Sequence, residues 1–239
     1  MADQPVKRVL AFGAHPDDLE IQIGGTLTRF AQMGVSVSMA IATDGSAGHM
    51  LIPPKELAEI RHAEAQAAAQ CIGAELYWIG WADGMLSDDP AIRLSFAEVI
   101  RKARPDLIIT HNPDDYHPDH RRVSHLVFDV SFLSGLPNIH TETPFHPGVQ
   151  PVYYYDSVGG IGFQPTEYVD ITETFAMKRE MLSKHQSQVK WLADHDHIDV
   201  MVQLELSAKQ RGFQCGVAFA EGFRPEFVFP RMRTYRMLP

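Results

Sequence analysis

The chain has little that would staple, anchor or charge it. Only two of its 239 residues are cysteine, Cys71 and Cys215. That excludes a disulfide framework and a cysteine-rich zinc site, and it fits a reducing, cytoplasmic setting. No apolar stretch reaches the roughly 18 residues that a membrane-spanning helix needs. The opening MADQPVKRVLAF has too short an apolar run for a signal peptide. Basic excess is also missing. The formal net charge is -9, which disfavours nonspecific binding to nucleic acid or anionic membrane. Repeats, low-complexity tracts and obvious linkers are absent, so residues 1–239 read as a single domain. With 45% hydrophobic and 21% charged residues, a chain of this length buries a core without cross-links.

What is present alternates. Val9–Gly13 is a short apolar run ending in a polar turn, and it reads as a buried strand. Further strands are expected over 35–42, 76–79, 107–110, 151–158 and 168–171. Gly24–Gly25 leads into an expected helix that Gly34 closes. Other helices are expected over 55–72, 90–103, 118–132, 173–188 and 199–211. Strands alternating with helices predict an α/β, Rossmann-like three-layer fold, with a mainly parallel sheet covered on both faces. Residues 134–151, rich in Pro, Gly, His and Thr, read as a long loop. In the common strand order 3-2-1-4-5, strands one and four are neighbours, and ligands bind between their carboxyl ends.

Histidine is the residue in excess, at twelve, and the densest His/Asp segments fall at those two strand ends. After the first comes His15-Pro16-Asp17-Asp18. If Pro16 opens a helical turn, His15 and Asp18 face one point, and Asp17 is left free to act as a base. After the fourth comes His117-Pro118-Asp119-His120, two imidazoles of which one can complete a metal triad while the other faces substrate. A catalytic zinc takes three protein ligands and keeps an open position. Two His and one carboxylate also suit iron(II), so metal identity is softer than ligand identity. Each motif alone suits an ordinary helix start or turn; together, at adjacent strand ends, they point to a metal centre.

The match is broader than these two motifs. Ala14-His-Pro-Asp-Asp-Leu-Glu-Ile21, Gly24-Gly-Thr-Leu27 and Asp115-Tyr-His-Pro-Asp-His-Arg121 resemble the LmbE/PIG-L family of zinc-dependent N-deacetylases. Thr43-Asp-Gly45, Arg61-x-x-Glu64, His185-Gln-Ser-Gln188 and Ala220-Glu-Gly-Phe223 extend the resemblance along nearly the whole chain. Gln22 and Gly222 depart from the family's usual residues, outside the catalytic set. The resemblance implies zinc held by His15, Asp18 and His120. It implies Asp17 as general base on zinc-bound water, His117 as stabiliser of the oxyanion, and Asp119 orienting His117. Arg61 resembles a residue lining the sugar pocket, and His111 and Gln188 are expected near substrate. The implied substrate is an N-acetylglucosamine-type amino sugar or its glycoside, as in the branch with bacillithiol-pathway and chitin-disaccharide deacetylases. Relatives of this kind also imply a homo-oligomer, hexamers included.

Three rival readings stand beside this one. A phosphoesterase needs two metals and more carboxylates. A nucleotide-binding module needs G-x-G-x-x-G, where the first turn has Gly13-Ala-His-Pro-Asp-Asp18. A metal-dependent hydrolase of another ester or amide, which stands with the phosphoesterase, shares the same ligands; the third, a non-catalytic member that keeps zinc for structure, would lack part of the catalytic set, and none of it is missing. Asp194-His-Asp-His-Ile-Asp199 reads as a solvated connector between helices, and Tyr153-Tyr-Tyr155 as strand packing.

Overall fold

The computed structural model describes residues 6–239. Its framework is a seven-stranded sheet in the order β3-β2-β1-β4-β5-β7-β6. The elements up to the fourth helix are β1 (Arg8–Gly13), α1 (Asp18–Gln32), β2 (Ser36–Thr43), α2 (Pro54–Gln70), β3 (Glu75–Trp81), α3 (Pro90–Ala103), β4 (Leu107–Thr110) and α4 (Pro118–Leu133). After a long loop come β5 (Val152–Tyr155), β6 (Glu167–Asp170), α5 (Phe175–Leu182), α6 (Gln186–His195), α7 (Val200–Cys215) and β7 (Ala220–Pro225). Strands β3-β2-β1-β4-β5 run parallel, with Val9 opposite both Val37 and Leu107. The expected α/β sandwich and its strand order are therefore present.

Alternation along the strands builds two cores. Val9, Ala11, Met39, Ile41 and Ile109 point to the face covered by α1 and by α5 to α7. Leu10, Phe12, Ala40 and Ile108 point to the face covered by α3 and α4, against Phe96, Ile100 and Val127. Burial on both faces explains why these strands read as continuous apolar runs.

Three expectations are corrected. The first helix begins at Asp18 and passes through Gly24–Gly25 instead of starting after them. These glycines set packing: a Cβ on Gly25 would lie 2.8 Å from Ile171 carbons. The expected helix over 173–188 is two helices, α5 and α6. The break between them turns His185 inward, to 1% exposure. Finally, β7 pairs antiparallel with both β5 and β6, where sequence patterning showed no strand. Its Glu221 is buried; it accepts from the backbone N–H groups of Gly25 and Thr26 and pairs with Lys178. A buried acid in mid-strand erases the alternation that marks a strand.

Gly25→Ala is expected to lower stability by about 1–3 kcal/mol through overpacking against the branched Ile171, despite the gain in helix propensity. The urea midpoint measures it, and an unchanged or raised midpoint would show that α1 and the β6–α5 connection at Ile171 separate freely.

Among the described residues, no helix is long and apolar enough to cross a membrane.

Candidate active site

The parallel strand order brings the loops after β1, β2, β3 and β4 to one end of the sheet, where α1 and α4 begin. Two helix N-termini therefore converge on one point, and their partial positive ends favour negative charge there. Pro16 and Pro118 sit in the turns that start them, consistent with proline's fixed φ.

Asp18 is the hub. Its Oδ2 accepts the His15 backbone N–H at 2.7 Å and lies 3.5 Å from His15 Nδ1. His111 Nε2 is 3.2 Å away, and Oδ1 is 3.3 Å from His120 Nε2. Three overlapping donor sets have atoms within 4.8 Å of one another: His15/His117/His120, Asp18/His111/His120 and His15/Asp83/Asp119. His111 is unsuited to ligation. Its Nε2 is already taken, accepting the Ala14 N–H at 2.9 Å; burial and the neighbouring His120 push its pKa down to about 4, which keeps it neutral for that role. What remains around Asp18 is His15 and His120.

The surroundings of these two rings are carboxylates. His15 Nε2 lies 3.2 Å from Asp83 Oδ1 and 3.3 Å from Asp119 Oδ2. His120 Nδ1 lies 3.0 Å from Asp115 Oδ1. Burial disfavours charge on both rings. Hydrogen bonds to Asp119, Asp18 and Asp83 nevertheless hold His15 well above the usual imidazole range. Asp18 and Asp115 push His120 up to about 9. Burial likewise opposes ionisation of Asp18, yet His120 and His111 hold it well below the ordinary carboxylate value. The pocket thus stabilises positive charge, and its donors are imidazole and carboxylate. Both properties fit a divalent metal ion.

Asp17 is set differently. It stands at the N-terminal boundary of α1 with φ 108°, a conformation that costs a non-glycine residue about 1–3 kcal/mol. Burial, then the adjacent Asp18 carboxylate, raises its pKa to about 7, against the pull of His185 and Arg61.

His117 caps α4, and its Nδ1 accepts the Asp119 N–H at 3.2 Å. Its remaining proton therefore sits on Nε2, as a neutral donor. The expectation paired the Asp119 carboxylate with His117. In the structure that carboxylate faces His15 and accepts the Gly84 N–H at 2.9 Å. His111, expected among substrate contacts, is seated behind Asp18 at 1% exposure.

Arg61 is buried rather than a solvated helix charge. Its Nη2 donates to Gln188 Oε1 and to Gly48 O. Nearby, Glu64 accepts from the Ser187 N–H and hydroxyl at 2.7 and 2.6 Å. The Arg61-x-x-Glu64 and His185-x-x-Gln188 segments are thus the two halves of one α2–α6 contact. Gly45, at φ 65°, lets the chain pass Arg61, because a Cβ there would lie 2.8 Å from its side chain. Arg61 is close enough to Asp17 to pull its pKa down, so the α2–α6 wall borders the Asp17–Asp18 pair.

Sequence reasoning missed Asp83, and it missed the buried His185–Glu20 pair, 3.3 Å apart. Asp83 follows a strand end and precedes a glycine, the one signal that marked it. The Asp194–Asp199 run contributes nothing to the site: His195 pairs with Asp196, and Asp199 caps α7.

Residues 10–131, which carry both His/Asp motifs, match the family model of PIG-L, GlcNAc-PI de-N-acetylase. The chain belongs to the PIG-L family. The diacetylchitobiose deacetylase of Thermococcus kodakarensis is 31% identical, over 77% of this chain and 70% of that protein. Among solved structures, N,N'-diacetylchitobiose deacetylase from Pyrococcus horikoshii superposes with a TM-score of 0.80 at 29% identity, covering 92% of this chain and 84% of that one. GalB, the 4-carboxy-2-hydroxymuconate hydratase from Pseudomonas putida KT2440, superposes at 0.81 with 22% identity, over 96% and 99%. At that identity GalB shares the fold. PIG-L membership places this chain among deacetylases, hydrolases that cleave an amide bond.

Proposed function

We propose that the protein is a metal-dependent hydrolase that removes the acetyl group from an N-acetylglucosamine-type amino sugar or its glycoside. The observation that carries this reading is the convergence of His15, Asp18 and His120 on one cation-stabilising point, with Asp17 beside it. Family membership and the likeness to the two diacetylchitobiose deacetylases support the amino-sugar class.

His15, Asp18 and His120 are the residues proposed to hold the metal, zinc by ligand type, with iron(II) also suited to two imidazoles and a carboxylate. The chemistry a divalent ion supplies when bound is activation of water and polarisation of the acyl carbonyl. Asp17 accepts a proton as water adds to the acyl carbon; its raised pKa suits a general base. The developing oxyanion takes a hydrogen bond from His117 Nε2, helped by the N-termini of α1 and α4. The C–N bond then breaks, the amine takes up a proton, and acetate leaves. Arg61, steadied by Gln188, borders the cleft beside Asp17 and offers its guanidinium to sugar hydroxyls. Asp115, Asp119 and His111 hold the proposed ligands in place and do not touch substrate.

Purified protein would be assayed for amine release from N-acetylglucosamine, its disaccharide and a malate-linked glycoside, with zinc and after chelation. Chelator-sensitive release from one of them is expected. Absence of release from all three would overturn the amino-sugar reading, and hydration of an unsaturated tricarboxylate instead would align the chain with GalB. His117→Ala is expected to lower kcat by about 10²–10³ with zinc content intact. An undiminished kcat would remove His117 from the reaction.

A further inference from the structure

Most of the polar groups behind the metal site come from the two motif loops. One does not. Asp83 lies just beyond β3, two strands away from β1, yet its carboxylate is one-tenth exposed and reaches His15. Each of its oxygens has a distinct partner: Oδ1 is 3.2 Å from His15 Nε2, and Oδ2 accepts the Ala47 N–H at 3.1 Å. Its own backbone N–H donates to Asp44 Oδ1 at 3.2 Å, the oxygen that also accepts the Ser46 N–H at 3.0 Å. Asp83 is therefore stitched into the β2–α2 loop at two points, and that loop carries Gly48, whose carbonyl accepts from Arg61.

We infer that Asp83 is a positioning residue: it keeps the proton of His15 on Nε2, so that Nδ1 faces Asp18, and it ties the β2–α2 loop, which holds Arg61 through Gly48, to the metal pocket. The inference rests on the reading of His15 as a metal ligand. An imidazole presents one lone pair to a metal, and the hydrogen bond made by its other nitrogen decides which one. Asp83 and Asp119 both present oxygens to Nε2. Asp119, however, is also held by the Gly84 N–H, and Asp83 alone of the two reaches the β2–α2 loop.

The test is zinc affinity by competition with a chromophoric chelator, together with hydrogen exchange at the Ala47 amide. Asp83→Ala is expected to weaken zinc binding by about 10–100-fold, as for other groups that orient a ligand, and to speed Ala47 exchange. Asp83→Asn keeps a carbonyl for His15 but turns an amide NH2 towards Ala47. It is expected to bind zinc nearly as the parent does while Ala47 exchanges faster. Wild-type zinc affinity in Asp83→Ala overturns the positioning role. So does a loss in Asp83→Asn equal to that in Asp83→Ala, since charge would then be the whole contribution. Unchanged Ala47 exchange in Asp83→Asn overturns the tie to the loop. His15→Ala, run alongside, separates this inference from the reading beneath it. If His15→Ala loses zinc while Asp83→Ala keeps it, only the inference fails. If His15→Ala keeps zinc, the ligand reading itself fails.

Discussion

Asp17→Asn is expected to lower kcat by about 10²–10⁴, the usual contribution of a positioned general base, with metal content unchanged. Asparagine tolerates positive φ better than most residues, so the turn at φ 108° should survive. It cannot accept a proton from water. It also removes one of two adjacent buried carboxylates, so the variant should unfold at no lower temperature than the parent. Steady-state kinetics, metal analysis and a thermal scan on the same preparation give the three readouts. Loss of turnover together with loss of metal would make Asp17 part of the metal site instead. Retained turnover would assign proton acceptance to another carboxylate.

His15→Ala is expected to abolish stoichiometric zinc binding. The loss of one of three ligands costs several kcal/mol, roughly 10³-fold or more in affinity. Activity should fall with it and return little on adding zinc. A second effect follows from the carboxylates. Without the imidazole, Asp83 and Asp119 face each other across a buried gap with no cation between them, so the variant should also be less stable, by an amount that changes little with ionic strength because buried charges are screened weakly. Equilibrium dialysis against zinc checks the first effect, and urea unfolding at two salt concentrations checks the second.

The central sheet was legible because its strands obey a simple rule: buried on both faces, they read as apolar runs between glycine- and proline-marked turns. The convergence of the two His/Asp motifs was legible for a related reason. Spacings of three residues within His15–Asp18 and His117–His120, placed at neighbouring strand ends, leave little freedom in where the side chains meet. The edge of the sheet was opaque. β7 carries Glu221, whose burial depends on Lys178 and on two amides of α1, and no local pattern announces such distant partners. The α5–α6 break was hidden for the same cause, since only the tertiary position of Glu20 accounts for His185 turning inward. Orientation was the other blind spot. His111, Asp119 and His117 were each placed near the centre, but which neighbour a ring or carboxylate faces depends on backbone amides such as those of Ala14, Gly84 and Asp119, and a sequence does not display these.

The wide spacing of the contributing loops has a consequence for synthesis. His15, Asp83, His120 and Gln188 lie on separate stretches of chain, and the sheet that gathers them is parallel, so each junction closes over a long intervening loop. Such connectivity makes folding slow relative to local structures. A nascent chain emerging from the ribosome offers no complete pocket until residues well past His120 are out, and no α2–α6 wall until Gln188 follows. The last strand, β7, then wedges between β5 and β6. Assembly of the proposed metal pocket is thus a late event, and a chain cut short before Ala220 would expose the β5 edge to aggregation.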